Sequence, residues 1–193
     1  GQMQFYQPSF QTGGILTTTN TNWYFSSTYT QSNGTSTFGL GNVTFNDVFT
    51  LSGGTFNAPQ GTAYFYNNFT HSGGVFDANG GTVKFVGTSY QTVDINASAG
   101  NVEFNDLVFD RNSSYYLRIA SGDHIIVNGT TTLKRAGYLV GDSTASALEA
   151  HGDVVVESTY TNSSARNSLQ LILAGTEHQT MTIAGGTYLP RLV

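Results

Sequence analysis

The amino-acid sequence predicts an all-β protein folded as a parallel β-helix, a solenoid with about 20 residues and three strands in each coil. Three observations lead to this fold class. Residues that favour strands and turns dominate the composition, the chain repeats with a period of about 20 residues, and phenylalanine recurs at one fixed place in the repeat. Together they predict similar coils stacked about 4.8 Å apart around a column of aromatic rings.

The composition excludes several other classes of protein. The 193 residues include 23 Gly, 13 Phe and 11 Tyr but no Cys, and about a third are Thr, Ser or Asn. Without cysteine there is neither a disulfide framework nor a thiolate metal site. The 7 basic residues against 12 acidic ones supply no basic face, so no nucleic-acid partner is expected. No apolar run approaches the roughly 18 residues of a membrane span.

The repeat is clearest over residues 49–88. Residues 49–68 and 69–88 are identical at ten of 20 positions without a gap, and the same period reaches back through 29–48 to 9–28. Glycines recur between the strand-like pieces, so each unit predicts three short strands joined by glycine-containing corners. The rival architecture is a β-sandwich or barrel, but its hairpins place turns about every 8–12 residues, without long identical units in register.

The phenylalanine column predicts a ladder of stacked rings inside the solenoid. The residue two positions before each phenylalanine faces the same side of its strand, as the two-residue period of a strand requires. Residues 100–107 match residues 41–48 at six of eight positions, which extends the ladder past a deletion of one residue. The predicted ladder consists of Phe25, Phe45, Phe65, Phe85 and Phe104.

A single domain is expected over residues 1–193, with regular coils at 9–108 and looser coils with loops at 109–193. In the second part, strands are predicted at 116–119, 125–127, 138–140, 154–157 and 169–173, and loops at 141–147 and 159–168. Both ends of the chain carry apolar residues without an evident cap. We therefore expect a segment of a longer protein or a subunit that stacks end to end.

Four phrases of the repeat point to a group of proteins: LSGGTFNA, GGTVKFVGTSYQTV, NVEFNDLVF and HIIVNGTTTL, which begin at residues 51, 80, 101 and 124. They resemble the degenerate repeats of large secreted bacterial surface proteins, the filamentous-haemagglutinin-like and autotransporter-passenger-like adhesins. The resemblance implies a right-handed parallel β-helix outside the cell, in adhesion or as a structural fibre. It transfers no catalytic residue.

The first functional hypothesis is an extracellular structural or adhesive solenoid without enzymatic activity, cofactor or metal. Its expected partners are copies of itself end to end or the rest of a longer chain, with cell-surface glycans in addition. The alternative is a polysaccharide lyase or hydrolase, for which Glu103, Asp106 and Asp110 are the candidate carboxylates. The coil register places Glu103 and Asp106 at different corners, which disfavours a catalytic pair.

A third hypothesis is a glycan-binding or ice-binding module, since Tyr64 and Tyr66 are predicted to face outward.

Seven Asn-x-Ser/Thr triplets occur, as chance allows in this composition, and Asn112 and Asn162 are the best-placed glycosylation candidates. The segment 77–81 lacks the ligands of a full calcium loop and predicts an Asx corner. The four histidines show no metal-ligand spacing in the sequence.

Overall fold

A computed structural model describes residues 1–96, 102–111, 115–134, 139–157, 168–184 and 191–193. The chain is an all-β parallel solenoid of about 8 turns, with about 21 residues per coil and three parallel sheets. The predicted fold class is therefore confirmed. In the part of the chain that the structure describes, no helix has the length and apolar character needed to cross a membrane.

The strands, numbered β1 to β21 in chain order, form sheets A, B and C, in which the paired strands are all parallel. Sheet A contains β1 (Gln2–Phe5), β3 (Asn22–Phe25), β5 (Val43–Phe45), β7 (Thr62–Phe65), β9 (Thr82–Gly87), β12 (Asp106–Arg111), β15 (Thr131–Lys134), β18 (Val154–Val156) and β20 (Met181–Ile183). Sheet B contains β2 (Ser9–Thr17), β4 (Tyr29–Thr37), β6 (Phe49–Asn57), β8 (Phe69–Asp77), β10 (Gln91–Ile95), β13 (Leu117–Ile119) and β16 (Leu139–Gly141). Sheet C contains β11 (Val102–Phe104), β14 (His124–Val127), β17 (Ala147–Ala150), β19 (Gln170–Leu173) and β21 (Arg191–Leu192).

The long strands β2, β4, β6 and β8 have nine residues each and turn a corner at a glycine with positive φ. At Gly54 in β6, φ is 76°, and a Cβ would lie 2.3 Å from the carbonyl oxygen of Gly34 in the preceding coil. Glycine is needed there both for the left-handed backbone and for the close approach of the stacked corners. Each long strand thus supplies two of the three strands predicted for its coil.

The phenylalanine rings stack inside sheet A along most of the predicted ladder. The ring centroids of Phe25 and Phe45 lie 5.2 Å apart with an interplanar angle of 7°, and those of Phe45 and Phe65 lie 5.2 Å apart at 14°. Phe85 continues the column at 5.6 Å from Phe65. The ladder also begins one coil earlier than predicted, because Phe5 stacks on Phe25 at 5.1 Å.

The prediction that Phe104 continues this ladder is wrong. Phe85 pairs with Phe109 in sheet A, their rings 5.7 Å apart, whereas Phe104 lies on β11 in sheet C. The reason is that each of the two matching segments, 41–48 and 100–107, contains a short strand with an inward-facing phenylalanine, followed by Asn-Asp. That pattern suits any side of the solenoid, so the matching segments occupy different sheets. Phe104 is nevertheless buried in the common core.

The coils lengthen beyond Phe85. In sheet A, the residue numbers of paired inward positions increase by 20 at each step from Phe5 to Phe85. The numbers of the later paired positions then increase by 24, 24, 23 and 27, along the series Phe85, Phe109, Leu133, Val156 and Ile183. After Phe109 aliphatic side chains replace aromatic ones in the column, and together with the longer coils this explains why the repeat fades from the sequence.

Candidate functional site

The three carboxylates considered for catalysis have separate surroundings. Glu103 lies on β11 in sheet C, and Asp106 and Asp110 lie on β12 in sheet A. Asp106 accepts a hydrogen bond of 2.7 Å from the backbone N–H of Thr130 in the next coil. Asp110 forms an ion pair with Lys84, with 2.7 Å between Oδ2 and Nζ. As the register predicted, Glu103 and Asp106 lie on different sides of the solenoid.

Other carboxylates also bind backbone N–H groups across coils. Asp123 accepts the N–H of Ile95 at 2.6 Å, and Asp153 accepts the N–H of Thr180 at 2.8 Å. Burial raises the pKa of Asp123, and the hydrogen bond from Ile95 partly opposes that rise. The hydrogen bond from the backbone of Thr180 lowers the pKa of Asp153. These side chains join neighbouring coils and are structural residues of the corners.

An open groove of about 390 Å³ lies on the outer face of sheet A. The lining contains both tyrosines that were predicted to face outward, Tyr64 and Tyr66, and the ion pair of Lys84 with Asp110. The ammonium of Lys84 is 5.9 Å from the centre of the Tyr64 ring, within reach of a cation–π interaction. Tyr66 is 41% exposed. We call these four residues and their surroundings the tyrosine groove.

A second cleft, of about 420 Å³, opens beside the start of sheet C, where β11 is an edge strand among the described strands. Two carboxylates line it. Glu103 accepts a hydrogen bond of 3.2 Å from the Asn128 amide, and Asp77 accepts one of 2.7 Å from the backbone N–H of Asn79. Asn79 and Gly80 have positive φ, so the Asx corner predicted at residues 77–81 is confirmed.

Two histidines contact one glutamate on sheet C, a cluster that the histidine spacing did not predict. His124 Nε2 lies 2.9 Å from one carboxylate oxygen of Glu149, and His151 Nε2 lies 2.6 Å from the other. The hydrogen bond with His151 is the main cause that lowers the pKa of Glu149. The coil register was the missing signal, because His124 pairs with Ala147 in the next coil, two residues before Glu149.

Within the described ranges, no group of three or more His, Cys, Asp or Glu side chains is arranged to hold a metal ion. Two asparagines of the Asn-x-Ser/Thr triplets bind backbone N–H groups of the next coil. The side-chain oxygens of Asn42 and Asn68 accept the N–H groups of Thr62 and Thr92 in the next coil, each at 2.8 Å. The glycosylation candidates Asn112 and Asn162 lie outside the described residues.

Comparisons of the chain with known protein families, with curated proteins and with solved structures each found no match. The assignment of the chain to the parallel β-solenoids rests on its geometry, that is, on the parallel sheets, the stacked corners and the aromatic column.

Proposed function

We propose that this chain is an extracellular structural and adhesive β-solenoid, a stalk or fibre-forming segment of a cell-surface protein. The observation that carries the proposal is the continuous core. Sheet A extends through nine parallel strands, and its inner column of rings continues from Phe5 to Phe109. Each coil is packed and hydrogen-bonded to its neighbours, so the stack supports itself along its axis and can act as a rigid spacer.

The composition and the repeat style support the extracellular setting. Only 10% of the residues are charged, and about a third are Thr, Ser or Asn. The coils need no cysteine, because the corners are joined by hydrogen bonds such as Asn42 to Thr62 and Asp106 to Thr130. The resemblance to repeats of bacterial surface adhesins points the same way.

The end coils support the proposal that another β-coil stacks on this segment, from a second copy or from a longer chain. Among the described strands, β1 and β2 are the edges of sheets A and B at one end, and β20 and β21 are the edges of sheets A and C at the other. Phe10 and Ile15 on β2 are 69% and 79% exposed. Open strand edges with apolar side chains favour addition of further strands.

Two measurements test the mechanical and the assembly parts of this proposal. Single-molecule stretching of the chain between well-characterised handle domains should show stepwise release of groups of coils at high force. If copies of the chain stack on one another, electron microscopy of the purified chain should show end-to-end filaments. If a longer chain supplies the stacking coils, the chain with further coils fused to its ends should appear as a rod extended along one axis. A segment that extends at low force without steps would contradict the structural role.

Polysaccharide cleavage is the second candidate function, because the cleft beside β11 holds the two carboxylates of Asp77 and Glu103. Both already accept hydrogen bonds, from Asn79 and Asn128, which favours a structural use. We expect no new reducing ends when the chain is incubated with plant, fungal and bacterial polysaccharides. Cleavage that disappears in Glu103→Gln and persists in Asp110→Asn would establish the enzymatic alternative instead.

A further inference from the structure

We propose that the tyrosine groove is a binding site for a neutral saccharide. This inference names a ligand for the adhesive role and rests on that role, whereas the mechanical role does not depend on it. The groove lies on β7, β9 and β12, which belong to three successive coils of sheet A. Its volume of about 390 Å³ falls within the range of roughly 300–1,000 Å³ that is typical of small-molecule sites.

Tyr66 supplies the apolar platform of the site. It follows β7 directly and keeps 41% of its surface exposed, whereas the face of Tyr64 is already engaged by the Lys84 ammonium at 5.9 Å. An open phenol ring presents a flat apolar surface with a polar tip. The C–H face of a pyranose ring has the matching shape and polarity, so Tyr66 is the stacking residue of the groove.

Lys84 and Asp110 supply the polar contacts. Their side chains are 24% and 25% exposed and lie 2.7 Å apart. An ammonium has three donors and a carboxylate accepts several hydrogen bonds, so each keeps capacity after the ion pair has formed. Adjacent hydroxyls of a sugar can therefore accept from Lys84 and donate to Asp110. The contact with Tyr64 holds Lys84 in place, which reduces the entropy lost on binding.

The charge of the groove and its position within the sheet select this ligand class over others. The described lining residues carry one positive and one negative charge, so they offer no net attraction for an acidic polysaccharide or a nucleic acid. A peptide that binds as an added strand needs a free strand edge. β7, β9 and β12 each have hydrogen-bonded neighbours on both sides, so no such edge exists in the groove.

The test uses the whole chain and neutral hexasaccharides of glucose, mannose, xylose and N-acetylglucosamine, with binding measured by saturation-transfer NMR and calorimetry. We expect at least one of them to bind, and Tyr66→Ala to weaken that binding about three- to tenfold, as loss of one aromatic contact predicts. Lys84→Met should weaken it similarly, and Tyr66→Phe should retain it. Tyr24→Ala is the matched control, because Tyr24 occupies the same outward column as Tyr64, two coils earlier.

Thermal melting of each variant reports whether it is folded, and only folded variants are compared. The inference is overturned if no neutral hexasaccharide binds, or if Tyr66→Ala and Tyr24→Ala bind equally well. The stretching experiment remains the test of the mechanical role. A groove that binds no sugar on a chain that resists force would therefore remove the ligand and leave the structural function standing.

Discussion

At the scale of single residues, amide and carboxylate side chains at the corners act on the backbone of the neighbouring coil. Asn22 accepts the N–H of Asn42, and Asn42 in turn accepts the N–H of Thr62, both at 2.8 Å. A side chain that satisfies a backbone donor of the next coil both closes a corner and fixes the stacking register. This use explains why asparagine is abundant in a chain with few charges.

Replacing Asn42 by alanine should therefore destabilise the protein. The N–H of Thr62 loses its partner in a residue that is only partly exposed, so we expect a loss of about 0.5–1.5 kcal/mol in the free energy of unfolding. Chemical denaturation measures this loss. Asn20→Ala is the control, since Asn20 is exposed, and its effect should stay within about 0.5 kcal/mol. Equal effects of the two substitutions would argue against the corner ladder.

One buried histidine occupies an inward column that other coils fill with different residues. The column runs through Gln31, Leu51, His71 and Ile95. Nε2 of His71 lies 3.3 Å from the carbonyl oxygen of Gly74, and Nδ1 has no hydrogen-bond partner among the described residues. Burial lowers the pKa of His71, although the contact with Gly74 opposes that effect. The folded protein therefore favours the neutral imidazole.

The lowered pKa predicts that His71 makes the fold sensitive to acid. Below about pH 6.5 the unfolded chain protonates this histidine before the folded one does, so stability falls as the pH decreases toward the folded pKa. His71→Leu, which copies Leu51 in the preceding coil, should remove this part of the pH dependence. Denaturant unfolding at pH 7.5 and pH 5.5 gives the difference for both proteins. The same difference in the two proteins would contradict the assignment.

At the scale of the strands, the bent strands of sheet B depend on glycine for two separable reasons. Gly14 and Gly54 have nearly equal φ, 70° and 76°. A Cβ at Gly14 would meet nothing within 4 Å, whereas one at Gly54 would lie 2.3 Å from the carbonyl oxygen of Gly34. Within a single copy of this chain, the first position therefore needs glycine for its conformation alone, and the second also needs it for stacking.

This pair of glycines gives a matched prediction. Gly14→Ala should destabilise the protein by about 1–2 kcal/mol, the cost of a left-handed backbone for an L-residue. Gly54→Ala should have a clearly larger effect, because the backbone of two coils must also move apart. Thermal and denaturant unfolding measure both variants. If Gly14→Ala proves as damaging as Gly54→Ala, the close approach of stacked corners does not limit the substitution.

Sequence reasoning predicted the strands better than it predicted the sheet to which each belongs. The strands predicted at 125–127 and 154–157 were found as β14 and β18. Residues 87–95 and 175–183 match at five of nine positions in the sequence. They nevertheless lie on different sides, since Gln91 begins β10 in sheet B and Gln179 precedes β20 in sheet A. Each glutamine donates to two backbone carbonyls of an earlier coil. The glutamine and the carbonyl groups that it binds form a corner that fits between any two sheets. Sequence similarity between two such segments therefore does not specify the sheet to which each belongs.

At the scale of the whole molecule, the change in coil length determines which features the sequence could show. Where the numbers of paired residues differ by 20, the contact of Tyr64 with Lys84 in the tyrosine groove follows from the register, whereas Asp110 joins the groove across a difference of 24. Where the difference grows to 24 or more, contacts such as His124 with Glu149 require the insertions to be counted correctly. The cleft beside β11 was unpredictable for the same reason, since it opens where the coil first lengthens.

The central claim is that the molecule is a stack of coils held mainly by contacts between neighbours, and hydrogen exchange of Phe65→Ala tests it most directly. Phe65 stacks between Phe45 and Phe85, and its truncation should cost about 3–5 kcal/mol locally. The account predicts faster amide exchange in β5, β7 and β9, with little change in the distant strands β18 and β20. An equal loss of protection in every strand, or none in β5 and β9, would contradict it.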